Sequence, residues 1–340
     1  MENSINWRLL KKLYAIYSPS GKEKNMIKFL IAYIKTLPGV QLGRDSYGNL
    51  YAWKGKSESY PCIVAHLDQV QHTHSRDFKA IETRDIIFGF SPTPHSFQGL
   101  GADDKNGIFI ALEALKKYDC LKVAFFKEEE IGCRGSSNCE LDFFKNCRYV
   151  IQCDRKGHSD FITTIGSSDL CSEEFINDVA PDQWGYQEAM GMMTDVEALK
   201  ESGLEISVCN ISCGYYNPHT DEEITVKRDL EKCWRLVQHI IEDCKKVYPH
   251  EPRMAYWGYR GYELDWGIED ELYDILQQDP SLTGNDLYDM YHTNFPRLTL
   301  DDFCTIVDEF NMMYDYDEEE TIKTQNNEEK DNKLENKNRA

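Results

Sequence analysis

Apolar residues recur along this chain with two different periods. In KEKNMIKFLIAYIKTL, residues 22–37, Met26, Phe29, Leu30, Tyr33 and Leu37 fall at helical spacing after Ser20 and Gly21, and Pro38-Gly39 ends the run. The next stretch, VQLGRDSYGNLYAWKG, predicts a hairpin with turn chemistry at Tyr47-Gly48-Asn49. Short apolar runs follow at Pro61–Ala65, Leu121–Phe126, Tyr149–Cys153 and Glu205–Ile211, each the length of a buried strand. Helical runs alternate with them, at about residues 105–117, 135–145, 191–202 and 226–247. That alternation predicts an α/β fold, a central sheet flanked by helices.

Each buried run leads into a polar cluster. Pro61–Ala65 ends at His66, Leu121–Phe126 runs into KEEE, and Tyr149–Cys153 ends at Asp154; NPHTDEE follows shortly after Glu205–Ile211. Open α/β sheets bind ligands at the carboxyl ends of their strands, so these clusters are expected to meet. From about residue 251 the pattern changes. EPRMAYWGYRGYELDWG is acidic and aromatic, and two or three helices are expected up to Met313. From about Asp315 the chain is highly charged and reads as disordered. The expected organisation is a catalytic core over 1–248, a small helical C-terminal region over 249–314, and an acidic tail over 315–340.

Composition narrows the chemistry. The chain has 340 residues, with 59 acids against 38 bases, for a formal charge of -21. So acidic a surface argues against nucleic acid or an anionic membrane as partner. Twelve cysteines occur without a C-x-x-C pair. The start, MENSINWRLLKKLYAIYS, is amphipathic rather than signal-like. Reduced thiols and a cytoplasmic location are therefore expected, with no membrane span. The oligomeric state stays open.

Five segments carry candidate metal ligands: His66-Leu67-Asp68, Asp103-Asp104, Glu128–Glu130, Asp154 and His219. Taken singly, each has an ordinary reading as a helix cap, a strand-end polar residue or a solvated acidic run. Taken together, they hold what a pair of zinc ions requires. His66 and His219 supply nitrogens, Glu130 and Asp154 supply terminal carboxylates, and one Asp of the 103–104 pair supplies a bridge. Glu129 is left over beside a ligand, as a general base would be.

HLDQV, GLGADDKNGI, EEEIGCRGS, CDRKG and NPHTDEE, in this order, resemble the co-catalytic zinc peptidases of the peptidase T and carboxypeptidase G type and the related tetrahedral aminopeptidases. The resemblance spans residues 1–248. It implies a three-layer α/β/α core with a central mixed sheet. It implies two zinc ions, with cobalt or manganese as substitutes: one on His66 and Asp154, one on Glu130 and His219, and Asp103 bridging them ahead of a cis bond to Asp104. Asp68 would accept the free N–H of His66, and Glu129 would activate the water between the metals. Glu223, at the family's acidic position after the last His, would be a supporting residue. His158 is a candidate substrate contact, and Arg134, Tyr215 and Tyr216 are candidates to orient a carboxylate or oxyanion. The relatives' lid domains do not fit, since the intervals from His66 to Asp103 and from Asp154 to His219 are too short, so a lid-less core is expected.

The implied activity is metal-dependent hydrolysis of peptide bonds, as an aminopeptidase or dipeptidase on small peptides. The same ligand set would also serve a deacylase of N-acyl amino acids, or a non-catalytic binding protein on the same core.

Overall fold

The computed structural model describes residues 5–165, 168–251, 272, 275–276, 281–292, 299–300, 303–307 and 310. Its elements begin with α1 (Trp7–Tyr14), α2 (Lys24–Ile34), β1 (Val40–Arg44), β2 (Leu50–Lys54), β3 (Tyr60–His66), β4 (Lys79–Glu82), β5 (Ile86–Ser91) and β6 (Ser96–Phe97). There follow α3 (Ala102–Lys117), β7 (Leu121–Phe126), α4 (Arg134–Ser137), β8 (Cys147–Arg155), β9 (Asp160–Ile165), β10 (Ser168–Asp169), α5 (Glu173–Val179) and β11 (Gln187–Gly191). Then come α6 (Asp195–Glu201), β12 (Val208–Ser212), β13 (Tyr215–Tyr216), β14 (Ile224–Val226) and α7 (Lys227–Asp243).

The larger sheet runs β1-β2-β7-β3-β8-β12-β9-β10, with β11 added to β9. It is mixed. β3 lies parallel to β7 and β8, and β8 parallel to β12, while β1, β2 and β7 are antiparallel to one another in turn. Successive side chains of a strand point to opposite faces, and here both faces are covered. Ile63, Ala65, Val123, Phe125, Tyr149 and Ile151 pack with Leu10, Leu30, Ile110 and Val237 from α1, α2, α3 and α7. Cys62, Val64, Ala124, Phe126 and Val150 pack on the other side with Phe144 and with Val196 and Leu199 of α6. Burial on both faces is why these strands read as unbroken apolar runs. The expected three-layer α/β/α core with its central mixed sheet is the architecture present.

Strand order sets up the site. β3 sits between β7 and β8, both of which come later in the chain: the connection from β3 runs to β7 on one side, and the one from β7 crosses back to β8 on the other. A ligand crevice opens at such a switch point, outside the carboxyl ends of the strands. A second sheet, β13-β14-β5-β4 with β6 on β5, pairs residues 79–97 with the β13–β14 hairpin. Its strands are short and only partly buried, and the sequence pattern did not announce them.

Two expected helices differ from what forms. Residues 135–145 make only the four-residue α4 and a 3-10 turn at Leu141–Phe144. The start of α4 is wedged against the end of β7, where a Cβ on Gly135 would meet the Lys127 carbonyl oxygen at 2.3 Å. Residues 187–191 extend as β11 because they pair in parallel with β9, which delays α6 to Asp195.

The chain divides into two compact units, Met1–Tyr259 and Arg260–Ala340. In the second, the helix Gly284–Tyr291 is closed by a capping box between Thr283 and Asp286. The acidic-aromatic stretch after residue 251 and the tail over 315–340 lie outside the described residues. All twelve cysteines are free thiols. Among the described residues, no helix is long and apolar enough to cross a membrane.

A buried hydroxyl ties the N-terminal helix to this frame. Tyr14 OH donates to Asn106 Oδ1 at 2.5 Å and lies 2.8 Å from Thr225 Oγ1, joining α1, α3 and β14. Tyr14→Phe is expected to cost about 1–3 kcal/mol by leaving buried polar partners unpaired. A lowered urea midpoint with an unchanged slope would show it; an unchanged midpoint would contradict it.

Candidate metal centre

His66 is the last residue of β3 and is fully buried. On one side, β7 runs out at Phe126 into Lys127–Glu130; on the other, β8 brings Asp154. α3 begins with Asp103 and Asp104, joined by a cis peptide bond. His219 stands in the loop between β13 and β14, which Asn217, Thr220 and Glu222 tie together.

These residues meet. His66 Nε2 is 2.9 Å from Asp103 Oδ1, 3.4 Å from Asp154 Oδ1 and 3.8 Å from Glu129 Oε2. His219 Nε2 is 3.4 Å from Asp103 Oδ2 and 3.2 Å from Glu130 Oε2. Asp103 therefore lies between the two imidazoles, one oxygen toward each. Ligand-type atoms of His66, Glu129 and Asp154 lie within 4.8 Å of one another, and so do those of His66, Asp103 and Glu130.

Three other buried acids beside this point bind backbone. Asp104 accepts from the N–H of His66 at 3.2 Å and of Gly107 at 2.9 Å. Glu223 accepts from the N–H of Ala102 at 3.0 Å and of Asp103 at 3.2 Å. Asp68 accepts from the Ser20 hydroxyl at 2.7 Å and from the N–H groups of Glu129 and Glu130 at 3.0 and 3.3 Å. Asp68 also faces His66 Nδ1 at 3.4 Å, but that nitrogen makes no hydrogen bond. The contacts that Asp68 does make hold the Glu129–Glu130 loop beside β3.

Electrostatics follow from burial and crowding. Burial pushes Glu129, Glu130 and Asp154 above the usual carboxylate range, and neighbouring carboxylates add to the push. Burial alone would lower His66 and His219, but the facing carboxylates raise both well above the usual imidazole value. Burial also raises Glu223, to about 7, despite the backbone donors. Such a cluster of like charges calls for positive charge at its centre.

The residues fit a metal pair. Glu130 Oε1 and Asp154 Oδ1 are buried without a hydrogen-bond partner. Buried polar atoms are ordinarily satisfied, and bare carboxylate oxygens beside two imidazoles are the donor set of divalent cations with borderline-soft character.

Of the other singled-out residues, Tyr215 donates to Asp103 Oδ2 at 3.1 Å. Tyr216 donates to Asp229 and lies 2.9 Å from His158 Nδ1, away from the ligand atoms. Arg134 starts α4, and Glu128 accepts from the Tyr47 hydroxyl at 2.5 Å. Residues that sequence reasoning passed over are Ser20, Gln152, Asp195 and Asn210, whose side-chain amide receives the Asp154 N–H at 2.9 Å. Gln152 carried a readable signal. It is a polar residue inside a buried strand, two positions before Asp154 and so on the same face.

No protein-family model and no curated protein matches the sequence. Solved structures match its shape. Aminopeptidase PepT from Bacillus cereus ATCC 10987 aligns over 70% of this chain and 98% of its own, at 15% identity and a TM-score of 0.56. The fold is shared with that aminopeptidase. A tripeptidase from Staphylococcus aureus aligns over 70% of this chain and 98% of its own, at 14% identity and a TM-score of 0.56. The TET aminopeptidase of a Thaumarchaeota archaeon aligns over 69% and 96%, at 14% identity and a TM-score of 0.56. Within this shared fold, the interval from Asp154 to His219 builds β9 to β12, α5 and α6, with no separate lid domain among the described residues.

Gly107 permits the close approach at the start of α3, where an added Cβ would fall 2.3 Å from Asp104 Oδ1. Gly107→Ala is expected to destabilise the fold by about 1–3 kcal/mol, as overpacking does. Thermal melting checks this; an unshifted midpoint would mean that Asp104 does not hold this position.

Proposed function

We propose that this chain is a metal-dependent hydrolase of peptide bonds, acting as an aminopeptidase or dipeptidase on short peptides. One observation carries the reading. His66, Asp103, Glu130, Asp154 and His219, from five separate segments, converge with Asp103 between the imidazoles and two carboxylate oxygens unsatisfied. His66 and Asp154 would hold one cation, Glu130 and His219 a second, and Asp103 both. Zinc, or cobalt or manganese in its place, supplies polarisation of the scissile carbonyl and activation of water at neutral pH.

The chain's own groups do the rest. Glu129 directs Oε2 toward the His66 side, while Oε1 receives the Cys133 thiol at 3.7 Å. Its burial-raised carboxylate is suited to taking a proton from the attacking water and passing it to the leaving nitrogen. Asp68 fixes the Glu129–Glu130 backbone, so the base and a ligand move together. The surplus of acids attracts a substrate with a free ammonium more strongly than a neutral N-acyl group, which favours peptides over N-acyl amino acids.

The test is metal analysis with a panel of aminoacyl-anilides and dipeptides. Chelator is expected to abolish turnover, and zinc, cobalt or manganese to restore it. Glu129→Gln is expected to keep both metals and lose about 10²–10⁴ of the rate. Loss of a metal from that variant would make Glu129 a ligand, and undiminished turnover would remove its role altogether.

A further inference from the structure

Asp154 has two unlike oxygens. Oδ1 faces the His66 side and has no hydrogen-bond partner, whereas Oδ2 receives Gln152 Nε2 at 2.9 Å. Gln152 is completely buried in β8. A glutamine amide offers two N–H donors and two acceptor lone pairs, and all four are used here. Oε1 accepts from Thr194 Oγ1 at 2.8 Å and from the Val196 N–H at 3.2 Å. Nε2 donates to Asp154 Oδ2 and, at 3.4 Å, to Asp195 Oδ2. Turning the amide over would set its oxygen against two carboxylates and an N–H group against the Val196 N–H, which can only donate, so the orientation seen is the one its surroundings select.

That orientation is anchored at a distance from the cluster. Asp195 is fully buried and also accepts from Ser136 Oγ at 2.6 Å, in α4 just after the Glu129–Glu130 loop. Thr194 and Val196 flank it at the start of α6. The chain Ser136–Asp195–Gln152–Asp154 therefore couples the β7 side of the crevice to the β8 side through neutral donors.

We propose that Gln152 is a positioning residue for the metal centre. Its locked amide occupies Asp154 Oδ2, so that Asp154 presents Oδ1 alone and binds its cation through one oxygen. This rests on the metal-dependent reading above and adds that the bracing acts on the Asp154 cation, while the cation of Glu130 and His219 does not depend on Gln152.

Zinc titration against a competing chelator tests this on the full chain, comparing wild type with Gln152→Met, which keeps the bulk and removes the amide. One of two zinc equivalents is expected to weaken about 10–100-fold, as when a supporting partner of a ligand is lost, with the other unchanged. Val150→Ala, on the same strand and face, removes apolar packing but none of the hydrogen-bonding side chains named above, and is expected to lower stability and leave both equivalents intact. Should Gln152→Met fail to fold, Thr194→Val removes one of the two donors that fix the amide and is expected to weaken the same equivalent less. Unchanged zinc binding in the variant that folds overturns the proposal. So does equal loss of both equivalents, or the same loss in Val150→Ala, since either marks a merely structural residue. A wild-type protein that takes up no divalent metal defeats the metal-dependent reading itself, and this proposal with it.

Discussion

Charge crowding at the carboxyl edge of one sheet is the constraint around which the rest of this molecule is arranged. Asp103, Glu129, Glu130 and Asp154 are brought within a few ångströms of two imidazoles, in surroundings that withhold water. Desolvation opposes their ionisation, and each opposes the others. An ordinary interior would neutralise or expel such groups. Here a three-layer core holds them in place and directs their free oxygens to a common point.

The neighbouring acids show how that point is kept clear. Asp68, Asp104 and Glu223 lie deeper still, and their oxygens are taken by backbone N–H groups at the start of α3, at the end of β3 and in the loop after β7. These contacts fix the main chain that carries the inward-facing carboxylates. A division results between acids that fasten backbone and acids that face the centre. It answers why Asp103 and Asp104 stand side by side: one turns toward the imidazoles, the other secures the strand that ends at His66.

Much of this could be read from residue order, for a physical reason. His66, Glu130 and Asp154 each follow an apolar run that becomes a doubly buried parallel strand, so the pattern that predicts the strand also places the residue at its carboxyl end. The partners of Asp68 were not legible, because they depend on β7 lying beside β3, and pairing between distant strands leaves no local trace. The small second sheet was missed because strands such as Ser96–Phe97 and Tyr215–Tyr216 are too short to show a period. The helix expected over 135–145 forms only as one turn and a separate 3-10 turn, and the close packing of Gly135 on the end of β7 is a contact between distant segments that the local sequence does not announce.

The interleaved order β7-β3-β8 bears on how the molecule comes to exist. His66 acquires neither flanking strand from its own vicinity, and His219 arrives only with a hairpin laid down after all of them. No short stretch of the chain contains a cation trap of its own, so ions have little purchase on a nascent or partly collapsed polypeptide. Contacts of such long sequence separation form late and slowly. Cation uptake would then reward completion of the whole unit at once, stiffening it as one cooperative body instead of seeding any fragment of it.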